Sequence, residues 1–268
     1  MKTTITTIIR RVMYFTLYLL NIAAGNKLPR AVIFCYHSAE ANDWRFSIDP
    51  DVIIRQVEYL RSKYEIISFD DLKAYIKGQK RLKRPAAVIT FDDGYRDVLK
   101  LTEYFKDHGI RPVMYVLADP DHADRVEMDN TLPIMSFDEV RQLKQAGWTI
   151  GCHSATHPFF GALSDEAVTR EVYDAKEMLE KKLGFEVPDF SFPRGRYDDR
   201  ILDAAQRAGY ESAVTMDDSL IDHATDLLRI PRVGVDRTHS FMEFKSIGTP
   251  LSIKFRQMLK RTFIGGML

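Results

Sequence analysis

Short strand-like apolar runs alternate along this chain with segments of helical periodicity. The runs lie at 32–36, 65–68, 87–91, 112–117, 149–152, 189–192, 212–215 and 228–233. Between them stand helical patterns at 50–63, 69–77, 95–108, 136–146, 164–183 and 198–208. The longest opens with Ser164, Asp165 and Glu166, a strong helix start, and stops at Gly184. Strands alternating with helices predict a parallel sheet in an α/β fold. The 268 residues, 45% hydrophobic, suffice for one sizeable core, and an α/β barrel of this length is often a single unit.

Two of the strand-like runs end in residues suited to metal chemistry. Ala86-Ala87-Val88-Ile89-Thr90-Phe91 follows Pro85 and closes on Asp92-Asp93-Gly94. Gly94 supplies the φ freedom of a turn. Where a strand ends the chain bends, so both aspartates can reach one cleft in different roles. Alone, Asp-Asp-Gly is also an ordinary surface turn. The run at 149–152 follows a helix stop at Ala146-Gly147 and puts His153 at a strand's C-terminal end, with His157 just beyond it before Pro158. Such ends form the active face of an α/β barrel. Two histidines and a carboxylate leave one metal position open for water, and the spare carboxylate can take that water's proton.

Over residues 30 to 240 these motifs resemble the polysaccharide deacetylases, carbohydrate esterase family 4, also called the NodB homology domain. Thr90-Phe91-Asp92-Asp93-Gly94 matches the family's first motif and His153-Ser154-Ala155-Thr156-His157 its second. Phe190-Ser191-Phe192-Pro193-Arg194-Gly195 resembles the third, with Arg194 where an aromatic residue is frequent. The resemblance implies a single distorted (β/α) barrel of about seven to eight strands over 30–245. It implies Asp92 as general base, and Asp93, His153 and His157 as ligands of one divalent ion. Zinc suits that donor set best, with cobalt or nickel as alternatives. Phe192, Pro193, Arg194 and Gly195 would shape the substrate groove, and the Tyr95 backbone amide would serve the oxyanion. Arg232 would hold Asp92 ionised and oriented, with Arg194 as its rival.

The chain departs from the family's commonest pattern at the general acid. The late Leu-X-His motif is missing, and Thr238-His239-Ser240 lacks the apolar strand that normally carries it. Instead Ala31-Val32-Ile33-Phe34-Cys35-Tyr36-His37 is an apolar strand ending in histidine at the start of the domain. This resembles a permuted subgroup whose acid-bearing strand comes first, and first and last strands of a closed barrel are neighbours. His37 is therefore the expected acid, with His239 and His223 as substitutes.

The expected activity is metal-dependent removal of N-acetyl groups from an N-acetylated glycan. Alternatives are an amidase or esterase acting on a smaller acylated substrate, a sugar-binding homologue without turnover, and a metal-free glycosidase. The last leaves His153 and His157 without a reason. With 38 basic and 38 acidic residues, no global charge points to nucleic acid. Cys35 and Cys152 fall in expected buried strands and read as core residues rather than a disulfide. Residues 119–132 lack periodicity and suit a loop over the cleft. Residues 1–29 read as a secretory signal, with Ala23-Ala24-Gly25 as its cleavage region, or as an amphipathic helix with Ile5, Ile8, Ile9, Val12 and Met13 on one face. Such a helix lies on the domain or on a membrane surface. That favours the cell envelope or a membrane-associated location, with the cytoplasm as alternative. The basic and apolar tail at 246–268 is a second element of this kind.

Overall fold

The computed structural model describes residues 5–260. Its strands are β1 (Ala31–Tyr36), β2 (Glu65–Ile66), β3 (Ala86–Phe91), β4 (Val113–Val116), β5 (Thr149–Cys152), β6 (Asp189–Ser191), β7 (Ser212–Thr215), β8 (Ile230–Pro231) and β9 (Val233–Gly234). Its helices are α1 (Ile5–Ala23), α2 (Pro50–Lys63), α3 (Phe69–Ile76), α4 (Thr102–Asp107), α5 (Phe137–Gln145), α6 (Asp165–Thr169), α7 (Ala175–Leu183), α8 (Asp199–Arg207), α9 (Phe241–Ile247) and α10 (Pro250–Lys260).

Among the described residues the strands pair only in parallel, in the order β8-β7-β6-β5-β4-β3-β1-β9, with β2 beside the start of β3. The two ends of that order belong to one stretch of chain. Ile230 registers with Val214 of β7, Val233 registers with Phe34 of β1, and only Arg232 lies between β8 and β9. This segment therefore closes the sheet into a nearly complete barrel, and counting it once gives eight strands, as expected of the α/β barrel. The single strand expected at 228–233 is split because its residues must turn from one neighbour to the other.

Strand alternation sorts two cores. Ala31, Ile33, Ala86, Val88, Val113, Tyr115, Val214 and Ile230 point into the barrel and meet Phe69, Leu72 and Ile76 of α3. That helix stops the N-terminal mouth, where Lys73 Nζ reaches Asp189 Oδ1 at 2.9 Å. Val32, Phe34, Ile89, Phe91, Met114, Ile150 and Phe190 point outward to the covering helices. The C-terminal ends of the strands are left for chemistry.

Two helices differ from their expected form. Residues 95–108 begin as a 3-10 turn over Arg96–Leu101 and become α-helical only at Thr102. The helix from Asp165 to Leu183 is interrupted by a π turn at Arg170–Asp174. Gly184, at φ 80°, ends it in the left-handed conformation glycine supplies freely. The expected loop at 119–132 contains a short 3-10 turn at Pro120–His122. No described helix is long and apolar enough to cross a membrane. Helix α1 packs against α9 and α10, its Arg10 Nε 2.8 Å from Glu243 Oε1 and its Tyr14 ring edge-on to His239.

Candidate active site

Strand β3 delivers the two aspartates to the barrel's C-terminal mouth, where both are buried. Asp93 turns away from the strand at φ 70° and Gly94 follows at φ 72°. The two carboxylates consequently take different partners, although they are neighbours in the chain. Asp92 faces the barrel axis. Arg232 Nη1 and Nη2 donate to its two oxygens, both at 2.7 Å. Ser191 Oγ donates to Oδ2 at 3.3 Å, and the Cys35 thiol lies 3.6 Å from it. Burial alone would raise the Asp92 pKa. The Arg232 guanidinium outweighs it, with His153 assisting, and holds the carboxyl far below the usual range. Burial pushes the Cys35 thiol well up, so it stays a neutral donor.

Asp93 faces the histidines. His153 Nε2 is 3.3 Å and His157 Nε2 3.6 Å from Asp93 Oδ1. The His153 Nδ1–H donates to the Ser191 carbonyl at 2.8 Å, which fixes the ring with Nε2 turned toward Asp93. Asp93 Oδ1 is buried and accepts no hydrogen bond. One donor atom from each of the three residues lies within 4.8 Å of the others. Two imidazole nitrogens and a carboxylate oxygen converging in a buried pocket fit a divalent cation, and they are a zinc-type donor set with a position left open.

The backbone around this cluster is bent hard. Asp93, Ser154, His157 and Arg194 all have φ between 59° and 70°, a region that costs about 1–2 kcal/mol for a residue with a Cβ. Fixed contacts hold it there. Ser154 Oγ accepts from the His157 N–H at 3.0 Å, and the Glu171 carboxylate accepts from the Ala155 and Thr156 N–H groups at 3.0 and 2.8 Å. Glu171 sits in the π turn, a distortion frequent near functional sites. Nothing in the helical pattern at 164–183 singled it out.

His37, just past β1, reaches the same mouth. It offers a ring nitrogen within 4.8 Å of an Asp92 oxygen, in a cluster that also includes Cys35. Its ring packs on Phe46, centroids 4.7 Å apart, with Trp44 edge-on, and Nδ1 is buried without a partner. Burial lowers its pKa against the opposing pull of Asp93 and Asp92. The substitutes lie elsewhere: His223 Nδ1 bonds the Tyr75 carbonyl on α3, and His239 packs on Tyr14 and Asp236.

The expected groove residues divide. Arg194 Nε pairs with Glu127 Oε2 at 3.0 Å, tying the 119–132 loop to the third motif, and its guanidinium lies over Phe159. Tyr95 is buried, and its hydroxyl accepts from the Asp129 N–H at 2.8 Å, a second tie to that loop. Phe192 and Pro193 are buried, with Phe192 between Phe190 and Tyr197, so they support the mouth from behind. Gly195 is fixed as glycine by φ 63° and by Met216, whose Cβ lies 2.3 Å from where its own Cβ would stand. Arg232 is fully buried and meets Asp92 rather than the surface.

Removing the Arg232 charge would leave Asp92 buried and unpaired. Arg232→Met should cost about 3–5 kcal/mol of stability at neutral pH. The loss should shrink in acid. Without the guanidinium the folded-state pKa of Asp92 rises above its unfolded value, so the variant regains stability below the unfolded pKa of about 3.9 and loses it as pH rises through the raised one. Denaturant titrations of both proteins at several pH values check this, and a pH-independent difference would exclude the charge explanation.

A family model described as polysaccharide deacetylase matches residues 79–213, half of the 268-residue chain. The Bacillus subtilis (strain 168) protein YxkH, named for the same family, is 21% identical over 212 residues, which cover 78% of this chain and 71% of that one. Among solved structures, IcaB from Ammonifex degensii superposes with a TM-score of 0.72 at 18% identity, covering 84% of this chain and 98% of that one. The Streptococcus pyogenes deacetylase PplD, solved with acetate, gives 0.67 at 23% identity, with 82% and 98% covered. At these identities the superpositions establish the fold.

Proposed function

The chain belongs to the polysaccharide deacetylase family, and from that premise we propose that it removes N-acetyl groups from an N-acetylated glycan using one divalent cation. Members of this family are hydrolases acting on the carbon–nitrogen bond of N-acetyl groups. The observation that carries the reading for this chain is the convergence of Asp93, His153 and His157 beside a second carboxylate clamped by Arg232.

A divalent cation held by these three residues would polarise the acyl oxygen and lower the pKa of a water molecule. Asp92, kept ionised by Arg232, would accept that water's proton. It would do so with a carboxylate already oriented by Ser191 and Cys35. His37 would return a proton to the departing nitrogen, so that an amine leaves rather than an amide anion. Phe46 and Trp44 fix its ring in one orientation. Ties from Arg194 and Tyr95 hold the 119–132 loop over this end of the barrel, where substrate selection would lie.

Acetate release from a panel of N-acetylated glycans, with cation-loaded and chelated protein, tests the reading. Release is expected from at least one glycan and should disappear on chelation. Hydrolysis confined to small acyl amides would move the activity to the amidase alternative, and release indifferent to chelation would remove the cation. His37→Ala should lower kcat on the amide substrate by about 10²–10⁴-fold with cation content unchanged. On an activated aryl ester, whose leaving group needs no proton, the variant should match the parent. Equal losses on both substrates would mark His37 as structural.

A further inference from the structure

We propose that helix α1 docks this protein on an anionic lipid surface, lying in the plane of the interface with its outer face in the acyl boundary.

The helix is apolar on its outer face as well as its inner one. Toward the protein it turns Arg10, Met13, Tyr14, Leu17 and Asn21, of which Tyr14 and Asn21 are buried and Met13 and Leu17 pack against the core. Toward solvent it turns Ile5, Ile8, Ile9, Val12, Leu19 and Leu20, each between 48% and 77% exposed. Surface helices ordinarily bury the apolar stripe and expose the polar one. The orientation is fixed by specific contacts. Arg10 Nη1 and Nη2 reach Thr238 Oγ1 and the Thr238 carbonyl at 2.8 and 2.6 Å, and its Nε pairs with Glu243. Rotating the apolar stripe inward would break this network and leave Glu243, itself almost fully buried, without its cation. The apolar face is thus held outward, and a contiguous exposed patch of this kind marks an interaction surface.

Charge selects the occupant. The chain is neutral overall, yet all 38 acidic residues lie within 40–243. Residues 1–39 carry Lys2, Arg10, Arg11, Lys27 and Arg30, and residues 244–268 carry Lys245, Lys254, Arg256, Lys260 and Arg261, with no acidic residue in either segment. Lys2 and Arg261 lie outside the described residues. Helices α1 and α10 pack together, and Arg11, Lys27, Arg30 and Lys254 are exposed. An apolar stripe bordered by the exposed cations Lys27, Arg30 and Lys254, with Arg11 exposed beside it 4.0 Å from Glu243, suits anionic lipid. It is a poor seam between two copies, because pairing it with itself would bring like charges together. At 19 residues the helix is about 28 Å long, and it is not apolar enough to span.

Flotation of the full chain with phosphatidylcholine vesicles, with and without phosphatidylglycerol, tests the proposal. The protein should float with the anionic vesicles, less with neutral ones, and less again as salt rises. Replacing Ile5, Ile9 and Val12 together by Ser should lower vesicle binding on the order of 100-fold. These side chains are exposed, so circular dichroism, cation content and acetate release in solution should be unchanged. Equal flotation of parent and variant would overturn the proposal, as would failure of the parent to float. Concentration-dependent dimers that form without vesicles and vanish in the variant would also overturn it, assigning the face to a second copy. None of these outcomes depends on the glycan reading.

Discussion

Asp92→Asn should keep its bound cation and lose turnover by about 10²–10⁴-fold, the usual contribution of a positioned base. The carboxamide keeps one acceptor for Arg232 but has no basic oxygen for a proton. It also leaves the buried guanidinium without its counter-charge, so stability falls together with activity. Asp93→Asn should behave in the opposite way. Asp93 Oδ1 has no hydrogen bond to lose, and its neighbours are the two imidazoles. That variant should lose cation affinity first, and excess cation should partly restore its rate. Elemental analysis beside acetate release distinguishes the two, and equal cation loss in both would refute the division of roles between adjacent residues.

His157→Ala should remove most of the bound cation and nearly all activity, because it deletes one of three donors. Full occupancy in this variant would exclude His157 as a ligand. The position carries a second signature. At φ 59° any residue with a Cβ is strained, so His157→Gly should be more stable than His157→Ala by about 1–2 kcal/mol while binding cation no better. A third readout comes from acid. Burial, ahead of the opposing pull of Asp93, pushes His157 down to about 4 in the cation-free protein. A depressed folded pKa means stability that is present above the unfolded value of about 6.5 and is lost as pH falls through the folded one. The cation-free parent should therefore weaken more steeply between those two values than either variant.

The strand ends were legible because buried parallel strands are almost wholly apolar, so Asp92, His153 and His37 stand out where each run stops. Their convergence followed from the barrel, which brings the C-terminal ends of all strands to one mouth. What surrounds them was hidden for distinct reasons. Cys35 and Ser191 are small residues inside strands, and only the inward half of the alternation turns them to Asp92. Glu171 reaches the histidine loop through a π turn that helical periodicity cannot show. Phe192 and Pro193 were read as groove walls from their motif, but an aromatic beside Phe190 and Tyr197 is drawn into the core by the area it buries. Periodicity in the first helix found its apolar face but not its direction, which depends on Glu243, more than two hundred residues away.

The barrel's seam lies at Arg232, between two strand fragments that pair with opposite ends of the sheet. The guanidinium that clamps Asp92 is therefore delivered only when the ring is shut. A chain that folded everything except this last segment would hold Asp93, His153 and His157 in place and lack the arginine that keeps Asp92 charged. Such a state would load a cation before it could turn over. During refolding, the recovery of hydrolysis should lag behind cation uptake, and the delay measures the time the ring takes to close.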